Sequence, residues 1–114
     1  MQIKKIYRNL KPELLFDELK DLIVNQGASV AEAKMGTYSL PDDSSSFISR
    51  GTLAFKMPAK PDTECIRGYI VGSARGETKL MLDIDDSLFS QEKVASLQGN
   101  LDFLLGSYED KPAQ

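Results

Sequence analysis

The chain of 114 residues contains no histidine and no tryptophan, and it has a single cysteine. Without histidine the usual general base near neutral pH and the commonest metal ligand are both missing. This excludes Ser-His-Asp triads, Cys-His dyads and most zinc sites. The lone Cys65 rules out an internal disulfide and fits a reducing compartment. No apolar run approaches the ~20 residues needed to cross a bilayer as a helix. Met1 to Tyr7 alternates instead of forming the continuous apolar block of a signal peptide, so the expected location is cytoplasmic. Basic residues are outnumbered, 14 Lys and Arg against 17 Asp and Glu. The resulting net charge of −3 disfavours nucleic acid as a partner, because phosphate neutralisation needs a basic surface.

What is present is an ordinary core-forming composition, 41% hydrophobic and 27% charged, which disfavours disorder. A compact chain of this length buries roughly 65% of its unfolded surface, enough for one core. A single domain over residues 1–108 is expected, followed by a frayed tail at 109–114 that is polar and contains Pro112.

The hydrophobic period sets the order of elements. Ile3 to Arg8 reads as a short strand with Ile6 turned inward, joined by Tyr7. Pro12 suits a first helical turn, and Leu15, Phe16, Leu19, Leu22 and Ile23 follow on one face, with Gly27 as the stop; helix one is expected over 11–26. The acidic side chains Glu13, Asp17, Glu18 and Asp21 should face water. From Ser29 the period becomes that of strands. Ala31, Ala33 and Met35 share one parity and Tyr38 and Leu40 the other, which predicts a bulge or bend at Gly36. A turn at 41–46 leads to a strand from Phe47 to Met57, with Phe47, Gly51, Leu53, Phe55 and Met57 on one face. After a loop at 58–62, strands over 65–74 and 77–85 form a hairpin closed by Arg75 and Gly76. In the last strand Leu80, Leu82 and Ile84 point one way. Ser90 is the N-cap of helix two, with Phe89 and Val94 as a hydrophobic staple. Val94, Leu97, Leu101, Leu104, Leu105 and Tyr108 line one stripe of it.

The class is therefore α+β, in the order β-α-β-β-β-β-α. This order resembles the helix-grip or TATA-binding-protein-like architecture, and the resemblance implies a curved antiparallel sheet packed against the C-terminal helix. It is a likeness of element order alone, with no family motif behind it.

Candidate chemistry is sparse. Arg67-Gly68-Tyr69-Ile70-Val71 is similar to the start of an RNA-recognition strand signature, but Val71 and Ala74 occupy the positions of its later aromatics. Asp83 and Asp85 are the candidate ligands of a divalent cation, against the simpler reading that Asp85-Asp86-Ser87 turns the chain into a helix. Asp42 and Asp43 sit in a serine-rich turn that turn chemistry accounts for. Cys65 has no base at a diagnostic spacing and reads as a small buried hydrophobe. No catalytic residue and no cofactor are expected.

The glycines suggest binding. Gly51, Gly68 and Gly72 omit side chains from strands expected to face one helix, which would open a groove. The expected function is non-catalytic capture of an apolar ligand or partner segment between the sheet and the C-terminal helix. Its candidate residues are Tyr38, Gly51, Phe55, Gly68, Gly72 and Leu101, with Met35 and Met57 as adaptable lining. The alternative is a protein-protein interaction module that uses the exposed sheet or the acidic face of helix one. A third reading, an aspartate-dependent metal enzyme, rests on Asp83 and Asp85.

Overall fold

The computed structural model describes residues 1–40, 43–73 and 76–110, with the side chains of 40 and 43–47 left aside. The elements are β1 (Gln2–Arg8), α1 (Pro12–Asn25), β2 (Ser29–Leu40), β3 (Asp43–Lys56), β4 (Glu64–Gly72), β5 (Glu77–Ile84), α2 (Gln91–Leu105) and a final 3-10 turn, Gly106–Tyr108. The strands form one sheet in the order β1-β5-β4-β3-β2, and every neighbouring pair is antiparallel. The chain is thus α+β with the element order read from its periodicity. The first strand pairs with the last because α1 carries the chain across the sheet before the β2 to β5 meander begins.

Cross-strand register separates two faces. Ile3, Leu82, Gly68, Leu53 and Ala33 align across all five strands, and the rows beside them hold Ile66, Ile70, Leu80, Ile84 and Phe55. This is the helix-covered face, and its large side chains are buried. Each contributes about 1.5–3 kcal/mol by leaving water. Tyr7 belongs to it and Ile6 does not: alternation permits only one of two consecutive residues to point inward, and Tyr7 is the one buried.

Helix α1 starts at Pro12, whose missing N–H is no loss in a first turn, and its stop is Gly27 at φ 99°. Leu15, Phe16, Leu19, Leu22 and Ile23 are buried, while Glu13, Asp17 and Asp21 face water. The helix lies across β2, β3 and β4. Its entry is fastened from below, where the buried Thr78 hydroxyl donates to the Leu10 carbonyl at 2.7 Å. Helix α2 lies beside α1 on the same face, near β1: Gln26 donates to Ser96 at 2.9 Å, and Lys5 donates to Asp102 at 3.3 Å. Ser90 caps it as expected, its hydroxyl accepting from the Lys93 N–H, and both members of the Phe89 and Val94 pair are buried.

Further expectations change. Strand β2 runs through Gly36 in register with Arg50, and its irregularities fall between Val30 and Glu32 and between Ser39 and Leu40. Gly36 is small because the Tyr38 ring lies over it: a Cβ there would sit 2.9 Å from the Tyr38 hydroxyl oxygen. The buried stripe of α2 is Val94, Leu97, Leu101 and Leu105; Leu104 falls at the margin of that stripe and is 44% exposed, and Tyr108 lies in the 3-10 turn beyond the helix and is 40% exposed. Glu109 and Asp110, expected to fray, pair with β1, and Asp43 to Ser46 of the expected turn belong to β3, where Asp43 pairs with Leu40; residues 111–114 lie outside the described residues, as do Pro41 and Asp42 of that turn and Ala74 and Arg75 of the expected hairpin.

Candidate functional site

The glycines that suggested a groove lie under α1, not α2. A Cβ at Gly51 would meet the Phe16 ring at 2.9 Å, one at Gly68 would meet Leu82 Cδ2 at 2.9 Å with Leu19 behind it, and one at Gly72 would overlap the Pro12 ring. Their lack of side chains brings α1 close to the sheet. Phe55 and Leu101 have no exposed surface, and Tyr38 is 55% exposed on the opposite face. The residues Tyr38, Gly51, Phe55, Gly68, Gly72 and Leu101 therefore do not line one space. Met35 and Met57 pack against the rim of the core.

The helix-free face is built from the other parity. Lys4, Met81, Tyr69, Thr52 and Lys34 form one row across the sheet, and Ile6, Lys79, Val71, Arg50 and Gly36 form the next. At the β1-β5-β4 side these rows make a cleft of about 530 Å³. Ile6, Tyr69 and Val71, each 37% exposed, give it an apolar floor together with Met81. Lys4 stands beside Met81 at the β1 end of one row, Lys79 stands between Ile6 and Val71 in the next, and Glu109 and Asp110 form the wall.

The wall is the end of the described chain, folded back over the β1 edge. Tyr7 and Glu109 form a bridge, and the Asp110 N–H donates to the Ile6 carbonyl at 2.7 Å. Both wall carboxylates are already paired, Glu109 with Lys5 at 3.0 Å and Asp110 with Arg8 at 2.9 Å. Burial pulls the Lys5 pKa down, but its hydrogen bonds and proximity to Glu109 and Asp102 outweigh this and hold it above the usual lysine value. Lys4 has no ion pair among the described residues, and Lys79 has only Glu77 at 3.7 Å, so the cleft's available charge is positive. Beyond the cleft, Arg67 is held between Glu64 at 2.7 Å and Glu32 at 3.4 Å, and its hydrogen bonds to Glu64 depress that carboxyl's pKa.

Hydrophobic side chains of both parities were the signal of this face in the sequence. Tyr69, Ile70 and Val71 are apolar in succession, as are Leu80, Met81 and Leu82, although one face of a half-covered sheet normally alternates to polar. Val71 and Met81 lie in runs that fit a strand buried on both sides equally well, and Ile6, expected inward, points to this face because Tyr7 takes the inward position.

The other candidates are occupied structurally. Asp83 accepts from the Gln2 amide at 2.8 Å, while Asp85 accepts from the Ser87 hydroxyl at 2.6 Å and the Ser87 N–H at 3.0 Å, bonds that lower its pKa. Three or more potential ligands do not gather anywhere among the described residues. Cys65 is buried, and desolvation raises its thiol pKa, the opposite of activation. No helix among the described residues is long and apolar enough to cross a membrane. The chain matches no protein-family model, no curated protein and no solved structure.

Proposed function

We propose that the protein is a non-catalytic binding module that receives its partner on the helix-free face of the sheet. The partner is a segment of another protein that carries an apolar side chain beside an acidic one. The apolar group seats over Ile6, Tyr69, Val71 and Met81, and the acidic group meets Lys4 and Lys79. One observation carries this reading: four apolar side chains from three adjacent strands share a cleft of about 530 Å³, a size suited to a buried side chain or small ligand. Apolar side chains interleaved with two cations select a ligand of mixed character, because desolvating the apolar groups supplies affinity and the lysines supply orientation. An arrangement of the helix-grip kind supports this use, since it places both helices on one face of a five-stranded antiparallel sheet and leaves the other open.

The capture of a ligand between the sheet and α2 has less support, because Leu97 and Leu101 leave no exposed surface there. A naphthalene sulfonate dye, apolar with one negative charge, is the direct probe. Its fluorescence should rise on mixing with the protein and fall by about tenfold in apparent affinity in a Val71→Asp variant, which places a like charge on the apolar floor. Binding that is absent in the wild-type protein, or that Val71→Asp leaves unchanged while Leu101→Ala abolishes it, overturns the proposal.

A further inference from the structure

The two edges of the sheet are treated differently. The β1 edge is paired by the chain itself at Ile6 and Tyr7 through Glu109 and Asp110, with two ion pairs and a backbone hydrogen bond. At the other edge β2 pairs with β3, and among the described residues nothing pairs with its outer side. This edge is 12 residues long and has no proline. Folded monomers normally shorten or cover such an edge, because its free N–H and C=O groups template another strand; β2 is long and uncovered among the described residues and carries only the Glu32 and Lys34 charges, with a register shift between Val30 and Glu32.

We infer that the β2 edge joins a second copy of this chain, antiparallel, around a two-fold axis through Ala33. Charge selects both the occupant and the register. The only charged side chains of β2 are Glu32 and Lys34, which lie on the helix-free face 3.5 Å apart. With Ala33 on the axis, Glu32 of each copy stands opposite Lys34 of the other, and facing residues of antiparallel strands are about 4.5–5.5 Å apart, within ion-pair reach. The neighbouring allowed registers, shifted by one residue in the position of the axis, set Glu32 against Glu32 or Lys34 against Lys34. Like charges directly opposite are disfavoured, so the sequence of this edge complements itself in one of the three.

The axis runs perpendicular to the sheet, so the assembly is a continuous ten-stranded sheet whose two helix-free faces look the same way. The inference is independent of what the cleft binds. If both hold, a dimer presents two clefts on one surface.

Sedimentation equilibrium of the full chain across a wide concentration range is the first test, and a reversible monomer-dimer equilibrium is expected. Lys34→Glu, at a side chain 79% exposed, should weaken association by about tenfold with the circular dichroism spectrum unchanged. The double exchange Glu32→Lys with Lys34→Glu should restore part of it, because it re-forms the pairs across the axis while setting a like charge beside Arg67. Independently, Ala33→Cys should give a covalent dimer under oxidised glutathione, because facing Cα atoms are within disulfide range, whereas Tyr38→Cys should not. A protein that stays monomeric at all concentrations overturns the proposal. So does a dimer that Lys34→Glu leaves intact, or a cross-link that forms equally well from position 38.

Discussion

Pro12, the first residue of α1, rests directly on Gly72, the last residue of β4, so closely that a Cβ at position 72 would overlap the proline ring. The glycine-bearing strands are thus the bed on which α1 lies, and the helix approaches nearest where the side chains are missing.

The glycines should accordingly divide by what opposes them. Gly72→Ala should cost about 1–3 kcal/mol, because the rigid Pro12 ring must move along with the helix it starts. Gly68→Ala should cost less, since Leu82 Cδ2 is the end of a side chain that can turn, whereas Gly68→Leu should overpack the core as strongly as Gly72→Ala. Gly99, in α2 with nothing within 4 Å of its ideal Cβ, should gain up to ~1 kcal/mol on replacement by alanine. Urea titration of the four variants checks this order. Equal effects at 72 and 99 would show that α1 does not sit where described.

Neighbouring leucines of α2 should also separate. Leu101, with no exposed surface, should lose ~2–5 kcal/mol on truncation to alanine, and Leu104, 44% exposed, should lose less than ~1 kcal/mol. Comparable losses by thermal or chemical denaturation would mean that α2 presents a different face to the core.

Tyr7 buries its hydroxyl without a hydrogen-bond partner among the described residues. Desolvation, with the negative charges of Glu109 and Asp102 added, drives its pKa well above the ordinary tyrosine value. Tyr7→Phe removes an unsatisfied polar group and keeps the ring, so it should stabilise the fold by about 1 kcal/mol. The sign of the pH effect follows from the raised pKa. The unfolded chain releases this proton near pH 10 while the folded chain retains it, so wild-type stability falls as pH rises above 10. The raised pKa of Lys5 acts in the same direction. Denaturation midpoints from pH 8 to 11 should therefore drop less steeply in Tyr7→Phe than in the wild-type protein; parallel slopes would indicate a Tyr7 hydroxyl that titrates normally.

Periodicity alone was enough to place both helices and all five strands, because burial on one face imposes a period of 3.6 on α1 and 2 on β5 whatever lies opposite. It also located the Ser90 cap and the Gly27 stop, whose signals are local to the backbone. Which surface opposed each face was a different matter. Gly51, Gly68 and Gly72 look alike in a strand whether they open a groove or admit a helix, and only the packing of Phe16, Leu19, Leu82 and Pro12 against them distinguishes the two. The cleft needed the tertiary structure as well. Ile6, Tyr69, Val71 and Met81 are separated by up to 75 positions along the chain and become neighbours because β5 pairs with β4 on one side and returns to β1 on the other. Local pattern decides which residues leave water, since that depends on spacing along one element. Which residues meet is a property of strand order, fixed by long-range pairing that no short segment encodes.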